Sequence, residues 1–366
     1  MTSGIDQVRL WIRHEERSTE RRAPIVPDDA RSLVAQGLEI VVEDSAQRVF
    51  PAEEYAAAGC RIVDPGSWVD APAGAYVVGL KELPDTPATL RHRHIFFGHA
   101  YKGQAGAREL LDRFVAGGGA LLDLEYLVDD AGRRLAAFGY WAGYVGAALA
   151  VLHLRGTLRT PLQPTDRQAL DAALAAPDPT ADGAPPRAIV IGALGRSGRG
   201  ACDALTVAGV PVTRWDVAET RALDRAALLA HDLLVNTVLA TGPVPPFLRP
   251  SDLDEPDRRL RLVSDVSCDV TSALNVLPIY DEVTNWAAPV RRLRESAAPL
   301  DLIAIDNLPS LLPREASVDF SAELAGHLAA LGGPTVVWGR CLARFEAAVA
   351  GLVVGGSVRG ASPGPG

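Results

Sequence analysis

Of the 36 basic side chains in this sequence, two are lysine: Lys81 and Lys102. A coding bias toward arginine would thin out lysine, but it should spare lysine where arginine cannot substitute. A guanidinium stays protonated, whereas a lysine amine can lose its proton when desolvated. A site that needs a neutral amine as proton acceptor is such a place. Lys81 follows the apolar run AYVVGL in GLKELP, and His99 follows HIFFG in GHAYKGQAG. Glu82 adjoins the first, and Glu125 closes a third apolar run in DLEYL. One lysine or histidine in such a place usually belongs to a solvated loop. A lysine, a histidine, a second lysine and two carboxylates at the ends of neighbouring runs point to proton chemistry. Removing hydride from a carbon bearing an amine needs that amine neutral, and hydrolysing the resulting imine needs activated water. A lysine and a histidine can divide that work, with Glu82 and Glu125 tuning both. A hydroxy-acid dehydrogenase would need one base. Arg22, Arg133 and Arg134 offer forks for substrate carboxylates. For Arg22 a solvated face is the plainer reading, because Arg13, Arg17 and Arg21 crowd the same segment.

A hydride acceptor is suggested further along. The run RAIVIG enters GALGRSGRGA, where Gly192, Gly195 and Gly198 are spaced as G-x-x-G-x-x-G. Such a turn lets backbone approach a pyrophosphate, and the following helix start offers unpaired N–H groups. The commoner fingerprint is G-x-G-x-x-G, and many glycine turns serve packing alone. Here the next run, VTRWD, ends in Asp216, a carboxylate suited to an adenine ribose. It would repel a 2′-phosphate, which favours NAD over NADP; Arg196 and Arg214 nearby weigh the other way.

These residues need strands to hold them. Apolar strands are expected at Val8–Ile12, Glu39–Glu43, Ala75–Leu80, His94–Gly98 and Ala120–Leu124, with helices at Pro27–Gln36 and Gly106–Val115. The alternation resumes with strands at Arg187–Ile191, Val212–Asp216, Asp232–Val235, Leu260–Val266 and Leu302–Ile305. An α/β protein with mostly parallel sheets follows. Residues 135–154 read as an apolar helix packed between two domains. Residues 156–186 read as a surface excursion with a short helix at Asp166–Ala176. Helices are expected at Val318–Leu331 and Leu342–Val353, and the tail GASPGPG as a disordered end.

Composition removes other classes. With 48% hydrophobic residues the chain can bury a core. Its net charge of −9 argues against nucleic-acid or membrane-surface binding. No window reaches the length of apolar run that a membrane span needs, and the first residues lack a signal peptide's apolar core. Four scattered cysteines fit buried thiols better than a disulfide or zinc framework, so no metal is expected. A cytoplasmic protein acting on small molecules is the expectation.

The segments RHEERSTERRAPIVP, GLKELP, HAYKGQAG, DLEYL, GRRLAAFGYWAGYVGAAL, IGALGRSGRGA, RRLRLVSDVS and IDNLPSLLPREAS follow one another along the chain. In this order they resemble the NAD-dependent, lysine-forming saccharopine dehydrogenases, within the alanine dehydrogenase and transhydrogenase superfamily. The resemblance implies two Rossmann-like domains with parallel sheets and an active-site cleft between them. Residues 1–138 and 318–366 would form the substrate-side domain and 139–317 the NAD-binding domain. It implies oxidative cleavage of saccharopine to lysine and 2-oxoglutarate, with amino-acid and oxo-acid substrates, and it leaves monomer or dimer open. By matched position, Lys81 is the base toward the secondary amine and His99 the acid–base group of imine hydrolysis. Glu82 and Glu125 tune them. Arg22, Lys102, Gln104, Arg134 and Phe138 fall on substrate positions. Arg133, Gly195, Arg196, Asp216, Thr220 and Ile305, Asp306, Asn307 and Leu308 fall on NAD positions. Two departures stand out. Ser197 and Thr237 replace cysteines that fungal members carry, so no disulfide can form there, and Asn307 stands where histidine is common. An opine-type dehydrogenase joining another amine to an oxo acid is the alternative. An alanine dehydrogenase and a cofactor-bound protein without turnover are weaker ones.

Overall fold

The computed structural model describes residues 7–102, 104, 106–178, 185–240, 242–270, 272–295, 298–333 and 335–356. The tail expected to be disordered lies outside them. The chain divides into two compact units, residues 1–137 with 317–366, and residues 138–316.

In the first unit the elements run β1 (Arg9–Ile12), α1 (Pro27–Ala35), β2 (Glu39–Glu43), α2 (Ala52–Ala57), β3 (Arg61–Val63), β4 (Tyr76–Val78), β5 (Arg93–Phe96), α3 (Ala107–Gly117) and β6 (Ala120–Asp123). All six strands pair in parallel in the order β3-β2-β1-β4-β5-β6. Central strands such as β1 and β4 are apolar on both faces because helices cover both sides of a parallel sheet. The short β3 and the six-residue α2 have no counterpart among the expected elements.

The second unit holds α4 (Gly139–Leu154), α5 (Arg167–Ala175), β7 (Ala188–Ile191), α6 (Arg196–Val207), β8 (Val212–Trp215), α7 (Val217–Thr220), α8 (Arg225–Leu229), β9 (Leu233–Asn236), β10 (Leu262–Asp265), β11 (Arg291–Arg294) and β12 (Leu300–Ile303). Its sheet order is β11-β12-β10-β9-β7-β8, parallel except for β11 at one edge. α4 is buried along most of its length and packs on α6 in the core of this unit. The backbones approach closely because Gly143 and Gly200 lack side chains: a Cβ on Gly143 would overlap the Ser197 carbonyl, and one on Gly200 the Tyr140 carbonyl.

Two helices follow, α9 (Pro313–Ala329) and α10 (Val336–Gly356). α9 starts earlier than expected, with Pro313 as its first residue, where the missing N–H is no loss. The Ser317 and Ser321 hydroxyls accept from Ala23 N (2.9 Å) and Val26 N (3.0 Å), and Phe345 of α10 packs in the β4–β6 core. The first unit is thus closed by the chain's last helices.

Candidate active site

In the first sheet, strand order reverses between β1 and β4, so the segments leaving their C-terminal ends diverge around a crevice. Four adjacent strands deliver ionisable residues to this edge. β1 leads into Arg13–Arg22, β4 into Lys81 and Glu82, β5 into His99, Lys102 and Gln104, and β6 into Glu125 and Arg134. A cavity of about 660 Å³ opens here, lined by Arg17, Glu82, Phe97, His99 and Arg113 among others.

Glu125 is the hub. Its carboxylate takes Lys102 Nζ at 2.9 Å and Arg134 Nη2 at 2.8 Å, and His99 Nδ1 stands at 3.7 Å, an ion-pair distance. His99, Lys102 and Arg134 hold the Glu125 carboxyl down at about 2, against burial. His99 is presented from a left-handed backbone with φ of 48°. For a non-glycine residue that conformation costs about 1–3 kcal/mol, and it recurs at functional sites. Gln104 Oε1 accepts from Lys102 N at 2.8 Å, next to Lys102 in the loop that follows His99.

Glu82 has another partner. Arg17 grips it bidentately at 2.9 and 3.0 Å and holds its carboxyl below the ordinary range despite partial burial. Arg22 is buried, with its Nε and Nη2 donating to Glu20 at 2.8 and 2.6 Å. Burial would raise the Glu20 carboxyl, but Arg22 and Lys81 bring it below the ordinary range. The solvated reading of this charged segment is therefore wrong for Arg22.

Sequence reasoning missed Arg13, Glu15, Arg17 and Glu20 around Lys81, and Asp123 beside Glu125. Asp123 is fully buried. Its Oδ1 accepts from Glu125 N at 2.9 Å, and its Oδ2 has no hydrogen-bond partner among the described residues. Burial pushes this carboxyl up to about 6. Two carboxylates at one strand end are thus driven apart in acidity. The apolar run ALLDL gives no hint that its Asp is a core residue.

In the second unit the glycine turn joins β7 to α6. Gly192 adopts a φ of 82°, Gly195 caps α6, and a Cβ on Gly198 would overlap the Gly192 carbonyl. Arg196 opens the helix. At the end of β8, Asp216 Oδ2 accepts from Leu194 N of this turn and Oδ1 from Val217 N, both at 2.9 Å. Asp216 also caps α7 in a reciprocal box with Glu219. A cavity of about 560 Å³ is lined by Gly192, Asp216, Thr220, Val238 and Phe247 among others. Bare glycine backbone and a carboxylate on one cavity, with the start of α6 following the same glycine turn, fit a dinucleotide's pyrophosphate and ribose.

The remaining predicted residues are scattered. Arg133 is exposed and paired with Asp129 at 2.8 Å. Phe138 packs against the second unit's core. Ile305 and Leu308 are core side chains, so only their backbone can meet a ligand; Asp306 between them is exposed. Asn307 is buried and donates to Ser310 Oγ at 2.9 Å.

The alanine dehydrogenase/PNT N-terminal domain family matches residues 11–145. A saccharopine dehydrogenase (NAD+, L-lysine-forming) of Schizosaccharomyces pombe is 40% identical over 360 residues, covering 93% of this chain and 98% of that protein. This chain belongs to the NAD-dependent, lysine-forming saccharopine dehydrogenase family. A Neurospora crassa protein of that name is 42% identical over 361 residues, covering 94% and 97%. An L-alanine dehydrogenase structure superposes with a TM-score of 0.63 at 15% identity, covering 93% of this chain and 94% of the other, which places the saccharopine dehydrogenase family's fold beside it. Among the described residues no helix is long and apolar enough to cross a membrane.

Proposed function

We propose that this chain is an NAD-dependent dehydrogenase that converts saccharopine and water to L-lysine and 2-oxoglutarate, and runs the reductive condensation in reverse. What carries the reading is full-length similarity to proteins of that activity, together with Lys81, His99 and Glu125 at one sheet edge. The first unit does the proton chemistry and the second holds the dinucleotide through Gly192, Gly195, Gly198, Arg196, Asp216 and Thr220. NAD supplies the hydride acceptor.

Lys81, neutral, takes the proton of the substrate's secondary amine as hydride departs from the glutamyl carbon. Water attacks the imine carbon, and the proton it loses passes through His99 to the nitrogen, giving a carbinolamine. His99 then carries the carbinolamine hydroxyl proton to the same nitrogen, so that the C–N bond breaks, lysine leaves as the amine and the oxygen stays on 2-oxoglutarate as its carbonyl. Glu125 holds the imidazolium form of His99 and the cations Lys102 and Arg134 in place for substrate carboxylates.

Purified protein mixed with lysine, 2-oxoglutarate and NADH should consume NADH. A folded, NADH-binding protein with no consumption across a wide pH range would reject the proposal. Replacing lysine by ornithine or other amines tests the substrate separately.

A further inference from the structure

Lys81 stands on a buried ion pair that its proposed chemistry does not use. Arg13 and Glu15 leave the end of β1, are 1% and 4% exposed, and lie 3.3 Å apart. Glu15 Oε1 accepts from Leu80 N at 2.7 Å and Oε2 from Lys81 N at 3.0 Å. Arg13 Nη2 donates to the Lys81 carbonyl. One ion pair therefore grips the backbone on both sides of the Lys81 Cα. Gly79 makes room for it, since a Cβ there would overlap the Arg13 guanidinium.

Backbone groups in a buried loop need partners, but neutral side chains or main chain could supply them. A buried ion pair is an expensive choice. Desolvating two charges often outweighs their attraction, and apolar replacement is frequently neutral or stabilising. Burial in fact pushes the Glu15 carboxyl above the ordinary range despite Arg13 and the two N–H groups. What the pair provides that an apolar plug cannot is fixed orientation of the two peptide planes that aim the Lys81 side chain.

We propose that Arg13 and Glu15 are positioning residues that clamp the Lys81 backbone and thereby set the direction and protonation of its amine. The proposal rests on Lys81 being the base. The groups facing the clamp come from several segments. His14 accepts from Arg13 through its carbonyl at 3.0 Å, and Arg48 donates to the Arg13 carbonyl at 3.1 Å. Glu20 lies near Glu15, and His94 of β5 feels the Arg13 charge. Lys81 itself completes the set.

The chain's scarcity of lysine makes a direct test possible. Lysine-selective ¹³C/¹⁵N labelling of the full chain gives signals from Lys81 and Lys102 alone, assigned with a Lys102→Arg sample. In Glu15→Gln, kcat should fall about 10²-fold, the loss expected from a misplacement near ~1 Å, with the KM for NADH within about twofold. The Lys81 Cε titration should move while that of Lys102 stays. A pair with a merely structural role would lower the melting temperature and leave that titration and the kcat pH profile where they were, which would overturn the proposal. Arg13→Lys, which keeps the charge and loses the fork, is judged by the same readouts if Glu15→Gln does not fold. In the unmodified protein the Lys81 amide should exchange as slowly as those of β4, and exchange at an unprotected rate would also overturn it. Lys81→Met that keeps full turnover would instead remove the base assignment and leave the amide measurement to decide the clamp.

Discussion

Glu125→Gln replaces the hub carboxylate by a neutral group of the same shape and leaves His99, Lys102 and Arg134 without their shared anion. The Glu125 carboxyl drops from 4.5 to about 2. At about 1.4 kcal/mol per pH unit, that drop corresponds to about 3 kcal/mol of preferential interaction. Lys102 and His99 are more than half exposed. Solvent screening therefore reduces the usable part to about 1–2 kcal/mol. The sign follows from linkage. A carboxyl whose folded value lies below its unfolded value stabilises fully above the unfolded value, near 4.5, and loses that contribution as pH falls toward about 2. In urea titrations the variant should be less stable than the parent by about 1–2 kcal/mol at ~pH 7, and the gap should narrow to less than half by ~pH 3. Turnover should fall by about 10²-fold or more, because His99, Lys102 and Arg134 all lose their common anchor. A stability gap that stays constant between these pH values would mean that packing, not charge, was lost. An unchanged turnover would remove Glu125 from the proton chemistry.

Lys81→Met should cut the rate by about 10²–10⁴ if its amine is a general base, and a small change in steady-state rates would remove it from the mechanism. Asp216→Ala should weaken NADH binding by about 10–100-fold, as expected for a lost charge-assisted hydrogen bond, and leave amino-acid affinity nearly unchanged. Asp216 also caps α7. The same change should therefore remove about 1 kcal/mol of stability; equal weakening of both ligands would undo the ribose assignment. Asp123 titrates the other way from Glu125. Its folded value, about 6, lies above the ordinary 3.8, so its contribution is fully present below 3.8 and lost as pH rises through about 6. Relative to Asp123→Asn, the parent should therefore gain about 2–3 kcal/mol in denaturant titrations between ~pH 7 and ~pH 4, and a flat difference would contradict burial as the cause.

The strands that carry the chemistry are legible because each is a short apolar run ending in ionisable residues. The glycine turn is legible because backbone approach admits few other residue types. Other features are hidden for physical reasons. β11 is an edge strand of sequence RRLR, and charge on an edge strand is protection against further pairing rather than a strand signal. The apolar run from residue 135 begins as loop: Leu135 N bonds to Leu127 O and Arg134 bridges Val128, so α4 starts only at Gly139. The largest gap concerns buried charge. Arg13 and Glu15 look like any solvated pair, and what buries them is the pairing of β1 with β4, a contact between distant segments that local sequence does not announce. The setting of Arg22 is misread from sequence for the same reason, since its charged neighbours suggest a solvated face.

The split of the first unit has a consequence for how the chain is made. Its sheet is complete once Asp123 has been synthesised, but the helix that covers β6 is α10, and the serines that pin Ala23 and Val26 lie on α9. Synthesis proceeds from the N-terminus, so this sheet must wait with that face covered only in part, by α3, while the contiguous second unit emerges and can fold as a unit of its own. Helices made after the second unit therefore act as the latch on strands made before it. Nascent chains arrested before α10 should bind holdase chaperones through the β4–β6 face and release them when that helix arrives.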